Sequence, residues 1–147
     1  MVLFLRVVGM TTLFSRGLFT LHSGQQALWK IDCDVLTDED VETCAMLLQQ
    51  RLPLYRTVEG IPTGGDRLAK VMATYCNPKG WRHLIVDDVL TTGDSMTKAR
   101  RAAAERMGQD LLDPSVIGAV LFARSDPPSW VTALWVLDFE EPYPRDD

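Results

Sequence analysis

The chain is 147 residues long, 46% hydrophobic and 24% charged, with a formal net charge of −5 at pH 7. That length points to one domain whose core needs neither disulfides nor a structural metal, and the composition is that of a soluble globular protein. A sequence pI near 5.0 argues against a nucleic-acid surface, so any phosphate bound here must meet a site made locally positive by backbone dipoles, a few cations and a metal ion.

In chain order, Met1-Val2-Leu3-Phe4-Leu5-Arg6-Val7-Val8 is apolar, but Arg6 interrupts the run and no small-x-small cleavage site follows. The stretch is too short to cross a bilayer. It reads as a strand or an apolar helix start packed on the body, and a cytoplasmic protein with no membrane partner is expected. Cys33, Cys44 and Cys76 are odd in number and widely spaced, which reads as free thiols in a reducing compartment. Thr37, followed by Asp38-Glu39-Asp40, predicts a helix start. The helix should run to about Arg51 with Val41, Ala45, Leu47 and Leu48 inward, ended by Pro53. A short strand over Tyr55–Glu59 leads into Gly60-Ile61-Pro62-Thr63-Gly64-Gly65, and a second helix covers about Asp66 to Tyr75. Asn77-Pro78-Lys79-Gly80 is a turn by composition.

A strand over Arg82–Asp87 follows, then a helix from Asp94 to about Met107 with Met96, Ala99 and Ala103 facing inward. Val116–Ala123 and Val131–Leu137 read as buried strands. Trp130 and Pro127-Pro128 look exposed, as an interface or a plain loop, and the tail Glu140–Asp147 reads as a loosely held end. The alternation predicts an α/β fold, a doubly wound and mainly parallel sheet flanked by helices. The loops Gly60–Gly65 and Thr91–Ser95 both follow strands, so both belong on the sheet's binding edge. Two such loops imply a ligand with phosphate groups at separated ends.

Leu84-Ile85-Val86-Asp87-Asp88-Val89-Leu90-Thr91-Thr92-Gly93-Asp94-Ser95 carries the most functional information. A buried strand ends in paired carboxylates, which can take sugar hydroxyls or a magnesium ion. A hydroxyl- and glycine-rich loop then opens a helix, an arrangement suited to phosphate. The acids alone could be structural caps. A Walker B strand would need a Gly-x-x-x-x-Gly-Lys-Ser/Thr loop, which the chain lacks. A phospho-receiver domain would need its acid pair near the start of the fold, whereas only about sixty residues follow Asp88. Neither rival explains Thr91–Ser95.

The Leu84–Ser95 stretch resembles the phosphoribosyl-pyrophosphate (PRPP) signature of type I phosphoribosyltransferases. Leu18-Phe19-Thr20-Leu21-His22-Ser23-Gly24-Gln25 and Trp29-Lys30-Ile31-Asp32 resemble the N-terminal element of orotate phosphoribosyltransferases. Gly60–Gly65 with Asp66-Arg67-Leu68-Ala69 is similar to their pyrophosphate loop. The matches span roughly residues 13–126, in the family's order.

The resemblance implies that Thr91, Thr92, Gly93, Asp94 and Ser95 hold the 5′-phosphate. It implies that Asp87 and Asp88 hold the ribose hydroxyls, directly or through Mg2+, as the catalytic acids. Glu59, Gly60, Ile61, Pro62, Thr63, Gly64 and Gly65 would cradle pyrophosphate, and His22, Lys30 and Arg124 would face the base. Residues 1–36 would form a hood, 37–138 the α/β core and 139–147 the tail, in a homodimer whose partners are PRPP and a nitrogenous base. The reaction would displace pyrophosphate from the anomeric carbon through an oxocarbenium-like state, without a covalent nucleophile. His83, inside an apolar strand, reads as structural.

Three departures stand out. Only Lys70 to Trp81 occupy the interval where orotate enzymes carry a long basic loop, so the lid that supplies cations is missing. His22 stands where the family has a base-contacting lysine, and Asp94 places a carboxylate in the phosphate loop, expected to point outward and cap the helix. The expected activity is phosphoribosyl transfer from PRPP to orotate or a similar pyrimidine. The alternative is a non-catalytic sensor of PRPP or a nucleotide, with phosphoribosyl hydrolysis or another acceptor as a third reading.

Overall fold

Runs of β-branched and aliphatic residues form β3 (Tyr55–Gly60), β4 (Arg82–Leu90), β5 (Val116–Ala123) and β6 (Val131–Val136). In the computed structural model, which describes residues 12–21, 24–108 and 114–137, these four strands make one sheet. All pairings are parallel and the order is β3-β4-β5-β6. The interior strands β4 and β5 have layers on both faces, which explains the unbroken apolar runs Leu84-Ile85-Val86 and Ala119–Ala123.

Helix α1 (Asp38–Gln49) begins at a reciprocal cap: Asp40 N–H donates to Thr37 Oγ1 at 3.0 Å, and Thr37 N–H donates to Asp40 Oδ2 at 2.9 Å. Its buried stripe is Val41, Cys44, Ala45 and Leu48, an i, i+3, i+4, i+7 pattern. Leu47, expected inward, lies off that stripe and is exposed, while Cys44 takes the inner place. Helix α2 (Asp66–Met72) ends in a 3-10 turn over Ala73–Tyr75, and α3 spans Asp94–Arg106.

Helices α1 and α2 pack on the face carrying Leu84 and Val86; α3 packs on the face carrying Ile85. Since β3, β4 and β5 follow one another in one direction while α2 and α3 lie on opposite faces, the two βαβ crossovers have opposite hands. The carbonyl of Val86, whose side chain points toward α2, accepts the Ile61 N–H at 2.9 Å. For an L-residue in an upward strand viewed from that side, β3 then lies to the right of β4. The β3–α2–β4 crossover is therefore left-handed, a geometry found in about 2% of such units. Its return is a tight turn at the amino edge of the sheet, where Gly80 N–H donates to Asn77 O and Asn77 N–H donates to Tyr55 O, both at 2.9 Å.

Strands β1 (Phe14–Thr20) and β2 (Gln26–Ile31) form a separate antiparallel pair. It docks through Phe14, whose ring meets Phe122 edge-on at 6.0 Å. Two sequence expectations change here. Strand β4 runs through the acid pair to Leu90 rather than ending at Asp87. Trp130 is half-buried rather than exposed, with the Arg100 guanidinium 4.7 Å from its ring centroid. The expectations for residues 1–8 and 140–147 lie outside the described residues.

Candidate functional site

Parallel pairing of β3 with β4 brings the loop 61–65 and the loop 91–93 to the same carboxyl edge, one strand apart. The Ile61–Val86 hydrogen bond extends the ladder into the first loop, which closes with Gly65 N–H donating to Ile61 O at 2.8 Å. The Pro62–Thr63 peptide in this loop is cis. Gly64 lies directly against the acid pair: a Cβ there would sit 2.7 Å from both carboxylate oxygens of Asp88. Only glycine permits this approach of backbone to carboxylate.

Asp87 and Asp88 sit side by side, half-buried. Asp88 N–H donates to Asp87 Oδ1 at 2.8 Å, and Val89 N–H donates to Asp88 Oδ1 at 2.7 Å. Burial, then hydrogen bonding and like charge from the Asp88 side chain, push the Asp87 carboxyl well above the usual carboxylate range, to about 8. A cation or a sugar diol at this edge would relieve the cost of ionising it. Among the described residues no group of three or more His, Cys, Asp or Glu forms a metal cage. The acid pair therefore fits a cation that arrives with its own phosphate ligands.

The second loop turns at Gly93, the N-cap of α3, at φ +83°, in the left-handed region. No side chain caps this helix, in contrast to α1. Thr92 Oγ1 accepts the Asp94 N–H at a long 3.3 Å. The other first-turn N–H groups have no partner within a helix, and with Thr91, Thr92 and Ser95 they follow β4 at its carboxyl end. Asp94 is exposed in the first turn and is not the N-cap, a place taken by Gly93.

At the next strand, Arg124 N–H donates to Leu90 O at 2.9 Å. Its guanidinium lies 3.6 Å from the centroid of the Trp29 ring and donates to Trp29 O at 2.9 Å, which clamps the hairpin to the edge of the sheet. Lys30 Nζ lies 4.9 Å over the Phe19 ring within the hairpin. His22 lies outside the described residues. Glu59 is engaged elsewhere: its Oε2 accepts from Arg106 at 2.7 Å and lies 3.4 Å from His83 Nε2. The opposite ring nitrogen of His83 is 2.6 Å from Thr57 Oγ1.

Two further residues neighbour the site: Cys33, which no motif announces, and Arg67, which follows the Gly60–Gly65 loop. Cys33, held in a 3-10 turn, lines a cavity of about 130 Å³ with Thr63, Gly64, Arg67 and Asp88. Burial, then the Asp88 charge, pushes its thiol up to about 12, which makes it an unreactive wall. Arg67 donates to Leu36 O at 2.7 Å and to Asp38 at 3.3 Å, tying α2 to the start of α1.

No protein-family model matches the chain, and no curated protein matches its sequence. Solved structures do. The orotate phosphoribosyltransferase from Aeropyrum pernix is 23% identical, with 85% of this chain and 88% of that one covered at a TM-score of 0.65. The orotate phosphoribosyltransferase of Mycobacterium tuberculosis in complex with 5-phospho-alpha-D-ribosyl 1-diphosphate (PRPP) is 19% identical, covering 81% of this chain and 86% of that one at a TM-score of 0.58. Leishmania donovani UMP synthase is 20% identical at a TM-score of 0.63, covering 85% of this chain and 34% of that one. With its parallel sheet, flanking helices and N-terminal hairpin, the chain has the fold of the orotate phosphoribosyltransferases.

Proposed function

We propose that the protein binds PRPP at the carboxyl edge of β3 and β4 and transfers its phosphoribosyl group to a nitrogenous base, orotate or a similar pyrimidine. The observation that carries this reading is the contact of Gly64 with the Asp88 carboxylate. It sets a backbone-lined loop, a paired acid and an uncapped helix start in one row. In this reading loop 91–95 takes the 5′-phosphate, Asp87 and Asp88 the ribose hydroxyls, and loop 60–65 the pyrophosphate. Asp87 and Asp88 would hold a Mg2+ ion carried in on the pyrophosphate, which would supply charge neutralisation there. The carboxylates beneath the ribose favour the positive charge that develops as the anomeric bond breaks. Arg124 and Lys30 mark the base side. Glu59, paired with Arg106, supports the base of the pyrophosphate loop rather than touching phosphate. A cytoplasmic setting fits the three free cysteines. Exposed Phe14 and Leu18 on the hairpin and Trp135 and Val136 on β6 support a homodimer.

A second reading is favoured by the tight turn at Asn77–Gly80. It leaves no basic loop between α2 and β4 and lies at the amino edge, away from the loops. A protein built this way senses PRPP or a nucleotide without turning it over. Incubation with PRPP, magnesium and a panel of bases, with pyrophosphate measured, separates the two. Base-dependent release supports transfer, binding without release for every base supports the sensor, and no binding at millimolar PRPP overturns both.

A further inference from the structure

We propose that a cleft at the amino edge of the sheet, opposite the PRPP edge and independent of that reading, binds a nucleoside monophosphate. The cleft has a volume of about 440 Å³, within the roughly 300–1,000 Å³ of small-molecule sites, and larger than the 130 Å³ cavity beside Asp88. It opens where β4, β5 and β6 begin, and its walls come from four elements distant in sequence.

Its chemistry is cationic in an acidic chain. Arg82, the first residue of β4, and Arg100, in the middle of α3, both line it, and no Asp or Glu does. Among the described residues neither guanidinium is within ion-pair distance of a carboxylate. Each is instead laid on an indole: Arg82 4.3 Å from the Trp81 centroid and Arg100 4.7 Å from that of Trp130. Stacking fixes the plane of a guanidinium and leaves its N–H edge available, the arrangement that receives a phosphate through paired hydrogen bonds. The Arg100 Nε is buried and has no acceptor. An unmet buried donor is costly, so this guanidinium carries hydrogen-bonding capacity that the described residues leave unused.

The rest of the lining suits the body of a nucleoside. Ser129 and Thr132 are hydroxyl-bearing residues of the lining, and Leu52 and Pro53 give it apolar surface. A bare inorganic anion would leave that surface uncovered, whereas a ribose and base would cover it.

The test is a titration of the nitrogen-15-labelled full chain with AMP or UMP, followed by NMR and repeated with inorganic phosphate and with adenosine. The expected result is a saturable shift of the Arg82, Ser129 and Thr132 amides and of the Arg100 side-chain Nε–H. Adenosine and inorganic phosphate should each bind at least tenfold more weakly. Arg100→Met should remove these shifts with the circular dichroism spectrum unchanged, and any nucleotide response at residues 91–95 should persist. Shifts confined to residues 87–95, or cleft shifts that survive both Arg100→Met and Arg82→Met, overturn the proposal. Phosphate binding as tightly as the nucleotide overturns the ligand class. Should either variant fail to fold, the shift map of the unaltered chain still decides.

Discussion

Gly64 and Asp88, twenty-four residues apart in the chain, meet so closely that a Cβ on the glycine would stand 2.7 Å from both carboxylate oxygens. Loop and acid pair therefore act as one wall. A methyl group at position 64 must push either the loop or the carboxylate out of place. Gly64→Ala is expected to weaken PRPP binding at least tenfold, read by calorimetric titration. Its cost in stability should be on the order of 1–3 kcal/mol, as for other overpacked sites. Unchanged affinity would show that this wall is not part of the site.

Asp87 makes stability depend on pH. Its folded pKa, about 8, is raised from the ordinary value of 3.8 by burial and by Asp88. The fold therefore favours the neutral acid. That contribution is fully present below the ordinary carboxylate range and is lost as pH rises through about 8. At about 1.4 kcal/mol for each pH unit between the ordinary and the folded value, the full loss is on the order of a few kcal/mol. Urea melts at pH 5 and pH 8 should show a fall in stability for the unaltered chain that Asp87→Asn abolishes. Equal slopes for both proteins would contradict the buried, neutral acid.

If the proposed reading holds, PRPP with magnesium would bind only the folded chain and should stabilise it. At a hundredfold excess over Kd the gain is about 2.7 kcal/mol, or roughly 8–10 °C in Tm for a domain of this size. Chelation with EDTA should remove most of that gain, because Asp87 and Asp88 are acids of the same sign as the pyrophosphate and need a cation between them and it. A melting curve unmoved by millimolar PRPP would end the proposal for this edge.

Arg124 holds the hairpin by a stack on Trp29 and a hydrogen bond to its carbonyl. Arg124→Ala should destabilise the chain by about 2 kcal/mol. Hydrogen exchange should rise in β2 while β4 and β5 stay protected. Arg124→Lys restores charge but neither the planar stack nor the fork, so little recovery is expected. Protection of β2 that survives both substitutions would show that Phe14 against Phe122 suffices to dock the hairpin.

Local patterns carry much of this architecture. The α1 cap is legible because Thr37 and Asp40 bond across three residues, and the Gly60–Gly65 and Thr91–Ser95 loops announce themselves by composition. Leu47 is misleading because two adjacent leucines fit a helical stripe equally well until the neighbouring strands decide which one they cover. Carboxylates read as strand breakers, so the sequence pattern ends β4 too early. Their pairing with β5, Asp87 opposite Val120 and Leu90 opposite Ala123, carries the strand past them. Trp130 looks exposed along the chain because nothing near it in sequence reveals that Arg100 covers its ring.

The sequence by itself determined the alternation of strands and helices, the two anion-type loops and the acid pair. These depend on periodicity, capping and turn chemistry within a few residues. Only the tertiary structure decided that β3 neighbours β4, that α2 and α3 take opposite faces with one left-handed crossover, that Gly64 touches Asp88, and that Arg124 lies on Trp29. Those relationships depend on which strands pair and which faces are buried. Long-range packing selects among partners that look equivalent along the chain.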